Sequence, residues 1–373
     1  GTVAPVRALA PKYAGYAQLR SALASLRAAA TTGAWPQIPA GPLLKEGDRD
    51  ERVAVLRARL AAGGDTTAAQ EAPTVFDAPL AEALAQWQAR HGLEPDGRLG
   101  PATLKALNVP VEARIRDIEE NLERWRWLPE PAERFAMVNL VASELVVYEG
   151  GQEVLRSRVI NGRPDWPTPV LSDEVVALHV NPRWYVPRKI TVAELLDVLK
   201  RDPAWAAAQG FVVQTGSGER LDPRDIDWSA VGADSLPGSL MQEPGPDNPL
   251  GRYKLVLTNR RGIYLHGTPS EKLFELPMRY FSHGCVRVEA IERLAELVAR
   301  GEGERRRLDE ARASEVPVEI ELAQRLPVHL LYFTAWAEPD GRLRFAPDVY
   351  RRDGVISRAL ARCAEDPAGK GCR

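Results

Sequence analysis

No apolar run in this 373-residue chain approaches the ~18 to 20 residues that span a bilayer. Charge bias is missing too: 49 Lys and Arg stand against 51 Asp and Glu, a formal net charge of -2. That balance supplies no broad field for holding nucleic acid or an anionic membrane. The N-terminus, Gly1-Thr2-Val3-Ala4-Pro5, lacks the charged and apolar blocks of a signal peptide, so the chain reads as either cytosolic or a mature or trimmed form. There is no internal repeat and no low-complexity tract. Cysteine is scarce, with only three. Cys363 and Cys372 share a tail where they either close a small disulfide or stay free thiols, which leaves Cys285 as the one to examine for chemistry.

What is present is an ordinary soluble composition, 45% hydrophobic and 27% charged, at a length that predicts two to three compact units. Tyr16, Leu19, Leu23 and Leu26 recur at helical steps, and Gly33 with Pro36 to Pro42 then breaks the pattern. Residues 43–109 read as a small helical unit. Val53, Leu56 and Leu60 form one face and Leu80, Leu84 and Trp87 another, with turns at Gly63-Gly64 and Asp96-Gly97 and a further helix opening at Pro101. Ile115, Ile118, Leu122 and Trp125 give a connecting helix over 110–132, in which Trp125 and Trp127 read as packing residues.

Beyond Pro131 the period changes to that of strands. Phe135 to Tyr148 and Val154 to Ile160 flank Glu149-Gly150-Gly151-Gln152, a hairpin signature. Further strands are expected at Val175–Val180, Tyr253–Thr258, Gly262–His266 and Val316–Leu322, and a last hairpin at His329–Ala335 with Leu343–Phe345. Between about 187 and 248, Pro and Gly become frequent, and Thr191 to Glu194 has capping-box spacing, so this stretch reads as a subdomain inserted into the sheet.

Two segments concentrate chemistry: Ile263-Tyr264-Leu265-His266-Gly267 and Ser282-His283-Gly284-Cys285-Val286-Arg287. A nucleophilic cysteine needs a base or positive field, donors for an oxyanion, and access. His266 and His283 are candidate imidazoles, Gly284 opens the backbone beside the thiol, and a helix after Ala290 would favour thiolate through its dipole. On spacing alone, two alternatives stay open. One is a buried structural cysteine with bystander histidines. The other is a zinc site of His266, His283 and Cys285, which lacks a fourth ligand at any usual spacing. His179 and His329 sit in strand patterns and His91 in a turn pattern, all read as structural.

The 282–287 run, with His266-Gly267 nineteen positions ahead of the cysteine, resembles the signature of the L,D-transpeptidase (YkuD-type) catalytic domain. Asn121 to Trp127, Asn181 to Pro187 and Gly245 to Gly251 resemble its YcbB-like branch. The 43–109 unit is similar to a peptidoglycan-binding-1 domain, through Val53-x-x-Leu56-x-x-Arg59-Leu60, Gln88-x-x-His91-Gly92-Leu93, Asp96-Gly97 and Gly100. The resemblance implies an α+β multidomain fold: a helical scaffold-like segment (1–42), the peptidoglycan-binding unit, the connecting helix, a mainly β catalytic domain (133–323) with a capping insertion, and a C-terminal hairpin and tail (324–373).

It further implies that Cys285 attacks a tetrapeptide stem of peptidoglycan, releases D-Ala and passes the acyl group to a second stem. His266 would be the base. His283 would orient the turn, with its imidazole as second candidate base, and Gly284 and Cys285 would offer oxyanion N–H groups. Tyr264, Trp184, Gly267, Ser282 and Arg287 would face substrate, although a structural ion pair is the leading reading of Arg287. No metal and no organic cofactor is implied. Carbapenems are expected to acylate Cys285, glycan-strand synthases to be partners, and the periplasm or cell envelope to be the location, with a membrane anchor upstream of Gly1. A hydrolytic enzyme with the same thiol, or a silent peptidoglycan-binding scaffold, are the competing readings.

Overall fold

The computed structural model describes residues 10–65, 73–338 and 340–365, which divide into two compact units. The first comprises the chain up to 132, residues 139–142 and residues from 331 onward; the second comprises 133–138 and 143–330. Cys363 with Cys372 falls outside what can be described, since the described residues end at 365.

In the first unit, α1 (Ala14–Thr32) buries the expected Tyr16, Leu19, Leu23 and Leu26 and ends at Gly33, whose φ of 69° is left-handed. Helices α2 (Glu51–Ala62) and α3 (Ala78–Arg90) start where Asp50 and Asp77 accept from the Arg52 and Leu80 amides, and α4 (Pro101–Leu107) starts at its proline. Their apolar faces meet in one core that includes Leu56, Leu60, Leu84, Trp87 and Leu107. Gln88 ties the turn to this core. Its amide reaches Asp96, the Arg98 carbonyl and Thr103, and its oxygen accepts from the Gly97 N–H at 2.8 Å.

Helix α5 (Val111–Arg126) carries buried polar residues for a similar reason. Asn121 and Arg124 both donate to Thr334 Oγ1, and the Thr334 amide donates back to Asn121 at 3.0 Å. Trp125 stacks on Phe333 at 4.5 Å. Trp127 does not pack as expected: it is 61% exposed, one step past the helix, with its indole N–H on Glu123. The last hairpin is also shorter than its pattern, pairing Ala335–Ala337 with Leu343–Phe345. The chain leaves strand geometry at 332–334, where the Thr334 amide serves Asn121 instead of a strand partner.

The second unit is built on nine strands among the described residues. They are β1 (Arg134–Asn139), β2 (Glu144–Glu149), β3 (Gln152–Gly162), β4 (Leu171–Val180), β9 (Tyr253–Leu257), β10 (Leu265–His266), β11 (Tyr280–Ser282), β12 (Val286–Val288) and β13 (Val318–Leu331). The order is β11-β3-β12-β10-β9-β4-β13-β1-β2, and β2 pairs again with β3, so eight of them close a ring with β11 beside it. The β2–β3 hairpin turns at Gly150 and Gly151, both at positive φ, as the Glu149 to Gln152 pattern predicts. The single strand expected over 135–148 is two, because the chain breaks at 140–143, where Ser143 takes φ 53°. Only Leu265–His266 of the expected 262–266 strand is extended ladder. Gly262 turns at φ 68°, and the Asn259 side chain accepts from the Ile263 amide.

The insertion holds its own four-stranded sheet, β5 (Trp184–Tyr185), β8 (Ser239–Gln242), β6 (Phe211–Gln214) and β7 (Arg220–Leu221), over a core containing Leu199, Phe211, Val213 and Trp228. It contributes α6 (Arg188–Ile190), a π turn (Thr191–Leu195) and α7 (Leu196–Arg201). Thr191 and Glu194 therefore form no capping box. Pro187 occupies the cap, and Thr191 lies a turn inside, its amide bonded to the Pro187 carbonyl at 3.0 Å.

Gly97 offers a direct test of the turn that closes the helical unit. Its φ is 66°, and an added Cβ would lie 2.8 Å from the Ala81 carbonyl oxygen. Gly97→Ala is expected to cost roughly 1 to 3 kcal/mol, read as a lowered melting transition; an unchanged melting curve would contradict the strained-turn account.

Candidate active site

Cys285 ends the three-residue step between β11 and β12, and the pairing of those strands determines its neighbours. Strand β12 runs parallel to β10, with Leu265 opposite Val286 and His266 opposite Arg287. Directly paired residues share a face, and so do residues two apart along a strand. Cys285, Arg287, Tyr264 and His266 therefore occupy one face, with Cys285 diagonal to His266. The Val286 amide donates to the Tyr264 carbonyl at 3.0 Å, which fixes the register beside Cys285.

The same register continues into a polar row across five strands. Arg287 stands opposite His266, His266 opposite Lys254, Lys254 opposite His179, and His179 opposite Glu319. The Lys254 ammonium sits 3.8 Å from the centre of the Tyr264 ring. His179 faces Glu319 at 3.7 Å. His329, by contrast, bonds Ser172 at 2.9 Å, and His91 bonds the Trp87 carbonyl and stacks on its ring, so neither joins this row.

His266 is buried, with Nδ1 2.6 Å from the Gly267 carbonyl oxygen. A carbonyl only accepts, so Nδ1 carries the proton of the neutral ring and Nε2 is the basic nitrogen. Burial, then the positive charges of Arg287 and Lys254, push its pKa down to about 3 against the opposing pull of the Gly267 and Leu250 carbonyls. Cys285 is half-buried, and its thiol donates to the Gly262 carbonyl at 3.4 Å. Burial raises the thiol above its ordinary value, although a Tyr264 backbone hydrogen bond, Lys254 and Arg287 all pull the other way. The resting site is therefore a neutral thiol and a neutral imidazole.

The turn itself is tightly specified. Gly284 has φ 110°, and an added Cβ on Gly162 would fall 2.1 Å from the Trp166 carbonyl oxygen and 3.1 Å from Gly284 Cα. Two backbones thus pass where only glycine fits. Ser282 donates its hydroxyl hydrogen to the Cys285 carbonyl and accepts the Gly284 N–H at 3.2 Å. That leaves the Cys285 amide, which has no acceptor among the described residues, as the open N–H of the turn.

His283 points away from the polar row. Its Nε2 lies 2.6 Å from Glu194 in the π turn, and its ring meets the Trp166 edge at 4.8 Å. Arg163 also donates to Glu194 at 2.8 Å, and together these bonds hold the Glu194 carboxyl below its usual range despite its partial burial. Trp184 packs within the insertion core, 6.2 Å from Phe211 between ring centres. Trp166 is the aromatic beside His283, with Lys189 3.7 Å above its ring. Arg287 has no ion pair among the described residues: its facing neighbours are His266 and Ile160, neither of them acidic. Nor do three or more His, Cys, Asp or Glu side chains gather as a metal site among the described residues.

The sequence patterns do not assign Lys254, Glu194 or Trp166 to the site; Glu194 enters them only through its capping-box spacing with Thr191. A lysine on the polar side of an alternating strand reads like any solvated lysine, and only its register with His266 distinguishes it.

Comparison with known proteins follows the same boundaries. Residues 133–320 match the YkuD family, described as an L,D-transpeptidase catalytic domain, and residues 49–107 match a "Putative peptidoglycan binding domain". A curated protein from Haemophilus influenzae, named "Putative L,D-transpeptidase", is 33% identical over 240 residues, covering 64% of this chain and 48% of that protein. The chain thus spans about half the length of this curated relative. Among solved structures, an L,D-transpeptidase from Stackebrandtia nassauensis is 14% identical at a TM-score of 0.29, covering 77% of this chain and 94% of its own. The LD transpeptidase LdtMt1, solved in complex with imipenem, is 12% identical at a TM-score of 0.25, covering 52% and 58%. Because one family profile covers half of the chain, including the Cys285 turn and the polar row, the chain belongs to the YkuD family of L,D-transpeptidase catalytic domains.

Proposed function

We propose that the chain cross-links peptidoglycan stems through a Cys285 thioester, with His266 as the base. The observation that carries this reading is the shared face of Cys285 and His266 across the parallel β10–β12 pair. The peptidoglycan-binding match at 49–107 supports a wall polymer as substrate, and that substrate implies residence in the cell envelope.

The chemistry follows from the neutral resting pair. As the sulfur closes on the scissile carbonyl of the donor stem, the thiol proton moves to His266 Nε2, so proton transfer accompanies attack. The Cys285 amide is the turn's available donor to the developing oxyanion, because the Gly284 N–H is engaged by Ser282. Collapse breaks the carbon–nitrogen bond. D-Ala leaves as an amine that takes the proton from the imidazolium, and the thioester remains. An acceptor amine then attacks the thioester and returns its proton through His266, and the thiol is regenerated. His283, bonded to Glu194, holds the turn in place. Acylation by a carbapenem would follow the first half of this route, with the ring-opened drug in place of the donor acyl group.

Three outcomes test the reading. Incubation with disaccharide-tetrapeptide stems should yield a dimer lacking one D-Ala, detected by mass spectrometry with the wild-type chain and absent with Cys285→Ala. D-Ala release without dimer would instead indicate hydrolysis, and no reaction would leave a binding scaffold. His266→Gln should lower kcat by about a hundred- to ten-thousand-fold, the usual contribution of a positioned base. Because burial raises the Cys285 thiol, its alkylation by iodoacetamide, followed on the Cys285 peptide, should have a pH midpoint above that of free cysteine. A midpoint below neutrality would mean a preformed thiolate and would overturn the coupled transfer.

A further inference from the structure

Lys254 and Arg287 are two cations on the face that carries Cys285, and neither makes an ion pair among the described residues. They stand on opposite sides of His266 in the ladder, Lys254 on β9 and Arg287 on β12. Both side chains are only half-buried, so they retain contact with the open face. Arg287 Nε is buried without a hydrogen-bond partner, and the guanidinium makes no ion pair among the described residues. Lys254 likewise makes no hydrogen bond or ion pair among them, its ammonium resting on the Tyr264 ring. Glu319, the one carboxylate of the polar row, faces His179 two strands from His266 and is 75% exposed.

Buried charge is costly unless paired, and an unsatisfied buried donor asks for an explanation. Burial lowers the pKa of both groups, opposed by the Cys285 charge and, at Lys254, by that of Glu319. A single nascent thiolate balances at most one of two positive charges. A guanidinium with an unused donor and an ammonium two strands away, on long side chains of one face, together suit an anion seated between them over His266.

We propose that Lys254 and Arg287 form a binding subsite for a carboxylate of the stem peptide that reacts at Cys285. The identity of the stem rests on the transpeptidase reading; the anion preference rests on the two unpaired cations alone. Donor stems offer carboxylates on both sides of the scissile bond: at the terminal D-Ala and on the side chain of the diamino acid. Either would lie close to the nucleophile once the scissile carbonyl is seated. A bound carboxylate would also offset the positive charge on both flanks of His266, making the base stronger once a donor is in place.

Calorimetric titration of the full chain carrying Cys285→Ala tests this with four synthetic tetrapeptide stems. One is the free acid, one is amidated at D-Ala, one at the diamino acid, and one at both. One of the single amides, which identifies the carboxylate that is held, should bind at least about tenfold more weakly than the free acid, as expected for loss of a charge-assisted contact. Adding Lys254→Gln or Arg287→Gln should weaken the free acid and abolish the acid–amide difference. Thermal melting establishes that each variant is folded, and the comparison among ligands on the unvaried side chains needs neither substitution. Equal binding of all four stems, or equal losses for acid and amides in the variants, would overturn the subsite alone. Absence of any stem binding, with no dimer from the wild-type chain, would overturn the transpeptidase reading and this assignment with it.

Discussion

The β10–β12 pairing is parallel, although both of its outer neighbours, β9 and β3, run antiparallel to it. Parallel neighbours cannot be joined by a tight turn and require a longer connection. Residues 267–285 supply it, and they return to the sheet through β11, which adds in parallel to β3 at Asn161 and Gly162. Everything distinctive about the site depends on this crossover. It brings a histidine and a cysteine nineteen positions apart onto one face, and it delivers Cys285 on a bend clamped by Ser282 and by the glycine-to-glycine passage at Gly162 and Gly284. β12 lies between β10 and β3, and β2 closes the ring on β3, so the strand that follows the bend is paired on both sides.

Electrostatically the site is loaded toward positive charge yet neutral at its reacting atoms. Burial dominates for both Cys285 and His266, and it disfavours the ionised form of each. Lys254 and Arg287 act in opposite senses on the pair, favouring thiolate and disfavouring imidazolium. A preformed thiolate–imidazolium pair would be open to adventitious electrophiles, whereas a neutral pair becomes reactive mainly when substrate changes its surroundings.

Much of this was legible beforehand. Tyr16, Leu19, Leu23 and Leu26, the faces of the small helical unit and the Gly150-Gly151 hairpin follow from periodicity and turn chemistry, because each depends on residues close in sequence. The His266 and Cys285 segments could be recognised from their composition. What escaped depends on register or on long-range pairing. Thr191 and Glu194 have the spacing of a cap, but Pro187 starts the helix earlier and Glu194 bonds a residue 89 positions away. Trp184 and Trp166 are indistinguishable as residue types; the strand pairing of Trp184 with Gln242 draws it into the insertion core. Arg287 invites an ion-pair reading until the ladder reveals a lysine and a histidine as its companions.

The Glu194–His283 contact has a mechanical side. A π turn accommodates one residue more than α-helical phase allows, and Glu194 lies within that turn. Removing a single residue there would restore α-helical phase within the turn and re-aim the side chains it carries. Every strand could remain intact while the carboxylate swung out of reach of the imidazole. Insertion and nucleophile turn are thus geared through one tooth, and the length of the helix in the insertion sets whether it engages.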